Sequence, residues 1–191
     1  MLSIEAARMA LAVRVSPRTL AHAERVAETA AGLAGTYDSD PQDALLAGLL
    51  HDWGKDLPDQ QLFAEADRLG VDVAPADRRA PQLLHARVGA AQIVETFPDV
   101  PATVVSAVAH HTLGAVEMTD LDRIVYIADS IEPQRRYDGV DELRAGVGHV
   151  PLPELFVRCM ASGIRHVVAT RRTLHPMTVA VWNAALGEAD S

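Results

Sequence analysis

A single cysteine, Cys159, occurs in the 191 residues of this chain. An intrachain disulfide and a cysteine-rich zinc site are therefore excluded, and an intracellular, cytoplasmic protein is expected. Aromatic residues make up only 4% of the chain, so Ala, Leu and Val must fill the interior, a composition that leans helical. No apolar run approaches the length of a membrane span, and residues 1–15 lack the apolar core of a secretory leader. An excess of basic residues is also missing. The net charge of −9 argues against a general nucleic-acid surface, although a metal and a few Arg or Lys can still make one cleft positive. The sequence has no Walker-type loop, no dinucleotide glycine fingerprint and no alternating strand pattern. Ser162 and Cys159 lie in helical sequence without local partners, so nothing points to a covalent nucleophile.

Apolar residues are plentiful at 49%, enough for the core of one domain. Proline, glycine and short polar caps divide the chain into helices. A short amphipathic helix is expected over 3–13. Ser16-Pro17 starts a second helix, which runs to Leu33 and is closed by Gly35. Asp40-Pro41 starts a third that ends at His51-Asp52. Further helices are expected from Pro58 to Leu69, from Pro81 to about Val94, over 101–111, from an Asp120 cap to Ile131, from Pro153 to Arg172, and from Pro176 to Leu186. Residues 71–80 and the glycine-containing stretch 139–148 read as loops. The expected fold class is all-α.

The chemistry concentrates at helix ends. His51-Asp52 closes the apolar run from Ala44 to Leu50, and burying that pair costs desolvation unless something compensates it. Asp129 raises the same question within the apolar helix of Val125, Ile127, Ala128 and Ile131. His22, His85, His110 and His111 recur at other helix ends or on helix faces. Together they offer the nitrogen and oxygen ligands of a one- or two-metal hydrolytic centre. Lys55, three residues after Asp52, and Arg135 are candidate phosphate contacts. The segment from Arg171 to Pro176, with Arg172 and His175, joins two helices; its basic residues suit either an anion or the helix dipole. Gly114 fits a tight turn or an ordinary C-cap.

The ordered set is more specific than any one pair. His22-xxx-Val26-Ala27, Leu49-Leu50-His51-Asp52-xx-Lys55, Leu84-His85-xx-Val88-Gly89-Ala90, His111-Thr112-x-Gly114 and Ile127-Ala128-Asp129-x-Ile131-Glu132-Pro133-x-Arg135 resemble the YqeK family of HD-domain metal phosphohydrolases, the bacterial symmetrical diadenosine tetraphosphate hydrolases. The resemblance runs from about residue 17 to residue 185. It implies a helical bundle with a buried metal centre, residues 17–191 forming the HD-domain hydrolase and residues 1–16 an N-terminal helical extension. It implies two divalent metals, with iron expected and manganese, cobalt or zinc as alternatives. His22, His51, Asp52 and Asp129 would hold one metal and His85 and His111 the other, with Asp52 bridging. The family pattern puts the ligand at His111 rather than His110.

By the same resemblance, Asp52, Lys55 and Asp129 would be catalytic. Lys55, His110, Thr112, Gly114, Arg135, Arg172 and His175 would contact substrate. A metal-bound hydroxide would attack phosphorus and convert diadenosine tetraphosphate to two ADP. The alternatives are an HD phosphohydrolase for another nucleotide or an alarmone, and a nucleotide-binding regulator without turnover. The expected partner is a small-molecule dinucleoside polyphosphate or other nucleotide, with no nucleic acid and no membrane; the oligomeric state stays open. Two departures bear on substrate contacts: Thr19 stands where the family often has Arg, and Trp53-Gly54 is an uncommon pairing. His149 and His166 match no ligand position.

Overall fold

Helix α3 (Pro41–Leu50) is apolar on every side, and Ala44, Leu46, Ala47, Gly48, Leu49 and Leu50 are all buried. A helix of this kind belongs in the middle of a bundle rather than on its surface. In the computed structural model, which describes residues 2–189, α3 is surrounded by α1 (Ile4–Ala12), α2 (Pro17–Thr36), α6 (Ala102–His110) and α7 (Asp120–Ile131). Helix α5 (His85–Thr96) packs on α6, α9 (Leu152–Ala169) on α7, and α10 (Pro176–Ala189) on α9. Helix α4 (Asp59–Leu69) and a 3₁₀ turn over Pro81–Leu84 close a smaller apolar cluster of Leu62, Ala66, Leu84 and Val88. The described residues contain no strand. Among those residues, no helix is long and apolar enough to cross a membrane.

Local signals explain most of the boundaries. Ser16 accepts the Thr19 N–H ahead of Pro17, and Asp40 accepts from Gln42 and Asp43 ahead of Pro41, which satisfies amides that a helix start leaves free. Three expectations shift. Helix α2 continues through Gly35 to Thr36 and is capped at Tyr37. Helix α7 is capped by Thr119 rather than Asp120, because Thr119 and Asp122 form a reciprocal capping box. The stretch 139–148, read as loop from its glycines, carries α8 (Val140–Gly146), which buries Val140 and Leu143. Two apolar anchors there prevail over the flanking glycines.

Small residues set the spacing at the centre. Ala23, Ala27, Ala30 and Ala34 form the buried stripe of α2, and it meets α3 at Gly48. A Cβ at Gly48 would lie 2.7 Å from Ala27 Cα, so the two backbones touch. From α1, Ala7 and Leu11 join the same core with no exposed surface. Gly48→Ala is therefore expected to lower the unfolding free energy by about 1–3 kcal/mol, the usual cost of overpacking. Gly35→Ala, whose added Cβ would meet nothing within 4 Å, should be neutral or stabilising by up to about 1 kcal/mol. Urea titration of both variants would check the contrast.

Candidate metal centre

Three histidines sit at helix ends and use the same device. His51 caps the C-terminus of α3, His85 that of the 3₁₀ turn, and His111 that of α6. Each donates Nδ1–H to the carbonyl three residues back: His51 to Gly48 at 2.7 Å, His85 to Gln82 at 2.5 Å and His111 to Val108 at 2.7 Å. The Gly48 and Val108 carbonyls have no backbone donor at their helix ends, so there the bond satisfies the helix end and fixes the tautomer together; the Gln82 carbonyl also accepts the His85 backbone N–H, so there the side-chain bond fixes the tautomer alone. Each Nε2 is left as a bare lone pair, the form in which imidazole binds a metal.

The three lone pairs converge on Asp52. Its Oδ1 lies 3.0 Å from His85 Nε2 and 3.6 Å from His111 Nε2, and its Oδ2 lies 3.4 Å from His51 Nε2. His85 Nε2 and His111 Nε2 are 3.0 Å apart. With the protons committed elsewhere, these contacts bring acceptor against acceptor. Asp52 Oδ1 and His51 Nε2 are buried and receive no hydrogen bond. Such a set is costly alone and fits a cation. Ligand atoms of His51, Asp52 and His111 lie within 4.8 Å of one another, as do those of His22, His51 and Asp129. Gly54 contributes to the approach of His85: a Cβ there would lie 2.6 Å from the His85 carbonyl, so the turn after Asp52 abuts the start of α5.

His22 lies within α2 and has no helix end to use. Its Nδ1 faces Glu132 Oε1 at 3.4 Å, while its Nε2 faces Asp129 Oδ1 at 2.9 Å. Glu132 is buried and held by Arg25 at 2.7 Å and by the Gln134 amide at 2.8 Å. A carboxylate therefore orients this imidazole where carbonyls orient the others.

The electrostatics favour positive charge. Burial opposes ionisation of Asp52, yet positive charge on His51 and hydrogen bonds donated by His111, His51 and His85 outweigh it and hold its carboxyl well below the usual range, so the lone pairs are fully bare only where a cation takes the place of those protons. Burial likewise opposes ionisation of Asp129, and His22, His51 and Arg135 bring its pKa far down. Burial would lower His51, but Asp52 and Asp129 raise it. His111 is pushed down to about 4, by burial first and then by the charge of His51 and His85, against the pull of Asp52, and stays neutral at ordinary pH. The C-terminal ends of α3 and α6 add their negative dipole ends at the same place.

The structure gathers His22, His51, Asp52, His85, His111 and Asp129 into this cluster. Lys55 Nζ reaches Asp52 Oδ1 at 3.3 Å. Arg135 is hydrogen-bonded to Asp129 and lies 3.4 Å from His22 Nε2. Thr112 Oγ1 is 3.0 Å from His111 Nε2. Other candidates stand apart. His110 turns to Asp122 and Ser106, each at 3.3 Å. Gly114, at φ 75°, makes its turn against Val181 of α10. Arg172 lines a cavity of about 490 Å³ that also includes Thr112. His175 is buried 3.4 Å from Asp77. The parts played by Glu132, Arg25 and Asp77 were not foreseen. For Glu132 the available signal was an acidic residue at the end of an apolar helix, immediately before Pro133.

Comparison with known proteins agrees with this geometry. The HD domain family model matches residues 19–134. The chain belongs to the HD domain family. Among HD-domain relatives, the symmetrical bis(5'-nucleosyl)-tetraphosphatase of Staphylococcus aureus is 34% identical over 75% of this chain and 73% of its own. The protein of that name from Bacillus subtilis is 28% identical over 85% and 86%. A protein of Clostridium acetobutylicum described as a predicted HD superfamily hydrolase involved in NAD metabolism superposes with a TM-score of 0.92 at 30% identity, covering 98% of this chain and 99% of that one.

Orientation of His22 by Glu132 has a measurable consequence. Glu132→Ala should weaken metal affinity by about 10- to 100-fold, as loss of a ligand-orienting carboxylate does. Competition with a chelator, read by metal analysis, would check this.

Proposed function

We infer that this HD-domain phosphohydrolase cleaves dinucleoside tetraphosphates, diadenosine tetraphosphate in particular, symmetrically to two ADP. The observation that carries the reading is the convergence of imidazole lone pairs on Asp52, with Lys55 and Arg135 at the rim. The names and coverage of the relatives above support the choice of substrate. Divalent cations fit the reading: His22, His51, Asp52 and Asp129 would hold one, and His85 and His111, with Asp52, would hold a second. Iron is the expected metal, and manganese, cobalt and zinc suit the same donors. Bound there, such ions would activate water near neutral pH and offset charge on a phosphoryl oxygen.

The side chains do the remainder. Asp52, ionised across the working pH range, keeps the cluster anionic and ready for cations. Arg25, Lys55, Arg135 and Arg136 line a cleft of about 920 Å³ beside His22 and Asp52, where a polyphosphate can lie along guanidinium and ammonium groups. Lys55 and Arg135 offset the negative charge that builds on the phosphoryl oxygens. The departing ADP is a stable anion, so the demand on a proton donor is small. The buried imidazoles keep their protons on Nδ1 and take no part in proton transfer.

Protein purified without oxygen and supplied with ferrous, manganous or cobaltous ion should convert diadenosine tetraphosphate to ADP alone. Asp52→Ala should lose activity by several orders of magnitude together with bound metal. ATP plus AMP as products, absence of turnover with every ion, or near-normal turnover by Asp52→Ala would overturn this reading.

A further inference from the structure

Asp77 is wholly buried, yet it lies outside the metal cluster. Its Oδ1 accepts from Arg87 Nη2 at 2.6 Å and faces His175 Nε2 at 3.4 Å. Its Oδ2 accepts the Ala74 amide at 2.8 Å. His175 Nδ1 accepts the Met177 amide at 3.1 Å, so the neutral ring carries its proton on Nε2, the nitrogen nearest the carboxylate. One carboxylate thus ties three distant pieces of chain: the 74–80 turn, helix α5 and the joint between α9 and α10.

Both irregular pieces carry arginines. Arg79 follows Asp77 by two residues, and Arg171 and Arg172 precede His175. All three line the cavity of about 490 Å³ that Thr112 shares with the histidine cluster. Their guanidinium groups have no hydrogen-bond or ion-pair partner among the described residues, in a chain of net charge −9. Arg171, at φ 54°, makes the left-handed turn that closes α9, and the Arg171 and Arg172 amides bond back to Val168 and Val167. Beyond that turn, the approach of His175 Nε2 to Asp77, without a hydrogen bond of its own, is the buried polar contact that fixes the segment against α5 and the 74–80 turn.

We propose that Asp77 is a positioning residue: through His175 it holds the α9–α10 joint, and through its own turn it holds Arg79, so that three cations face one phosphate-bearing ligand beside the metal cluster. This rests on the phosphohydrolase reading for the ligand's identity, but the clasp itself does not require turnover. His175 then acts on the substrate through the joint rather than by touching it.

The test uses Asp77→Asn, His175→Phe and His175→Gln in the full chain, with three readouts. For Asp77→Asn and His175→Phe, the KM for diadenosine tetraphosphate and the Kd for ADP should rise about tenfold, the value of one good charged contact. Their kcat and bound metal should stay within about twofold, a split that loss of folded protein would not produce. Trypsin should cut at Arg171 and Arg172 faster in both variants than in the wild type. His175→Gln, whose side-chain amide can donate to Asp77, should restore all three towards wild type. If Asp77→Asn does not fold, His175→Phe decides alone. A fall in kcat with KM unchanged, unaltered tryptic cleavage, or no ADP binding by the wild type would overturn the proposal. A wild type that binds ADP but does not cleave diadenosine tetraphosphate would sink the hydrolase reading, and the ADP affinities and cleavage rates would still decide the clasp.

Discussion

A hydrogen bond from a histidine Nδ1 to a carbonyl in the last turn of the helix before it, a carbonyl otherwise free at His51 and His111, underlies everything else in this molecule. It occurs at His51, His85 and His111. A helix that stops in the interior leaves carbonyls without donors, an arrangement the surroundings must repair. Here the repair is made by the residue that must also be a ligand. Finishing a helix and aiming a lone pair are one event, and three such events around a single carboxylate make a cation site. The site is then an outcome of how the helices terminate, not an addition to a finished bundle.

That arrangement requires a helix that ends in the middle of the protein. Helix α3 meets the requirement because its sequence gives it no polar face, so it is enclosed by its neighbours and delivers His51 and Asp52 where water is scarce. The scarcity of aromatics matters here too. Alanine and glycine let α2 and α3 come within backbone contact, and this brings His22 over the end of α3. Packing and chemistry therefore share the same residues, and the distance between two helix axes is also a distance between ligands.

Much of this was legible in the sequence. Proline at helix starts and glycine or histidine at helix ends marked most elements, and the all-helical architecture followed from them. Residues 22, 51, 52, 85, 110, 111 and 129 stood out because imidazoles and carboxylates in apolar helices need an explanation; the resemblance to the YqeK family set His110 aside, and the structure gathers the other six. What stayed hidden depended on contacts between segments far apart in the chain. Glu132 orients His22 from another helix, and nothing in its own neighbourhood says which way it faces. Asp77 reads as one polar residue in a polar loop until His175 and Arg87 are seen beside it. Helix α8 was masked by its glycines, because composition carries no information about the two anchors that order it. The cap at Thr119 was one residue from Asp120, which would serve equally well by type alone.

The contact between Gly48 and Ala27 bears on how such a protein could change over generations. Most cores tolerate gradual exchange of one aliphatic side chain for another, because neighbouring groups shift to compensate. A seam where main chain meets main chain has no such slack. The outer pair α9 and α10, which meets the core through side chains, has room to be remodelled, while the inner pair can change little without moving the ligands it carries.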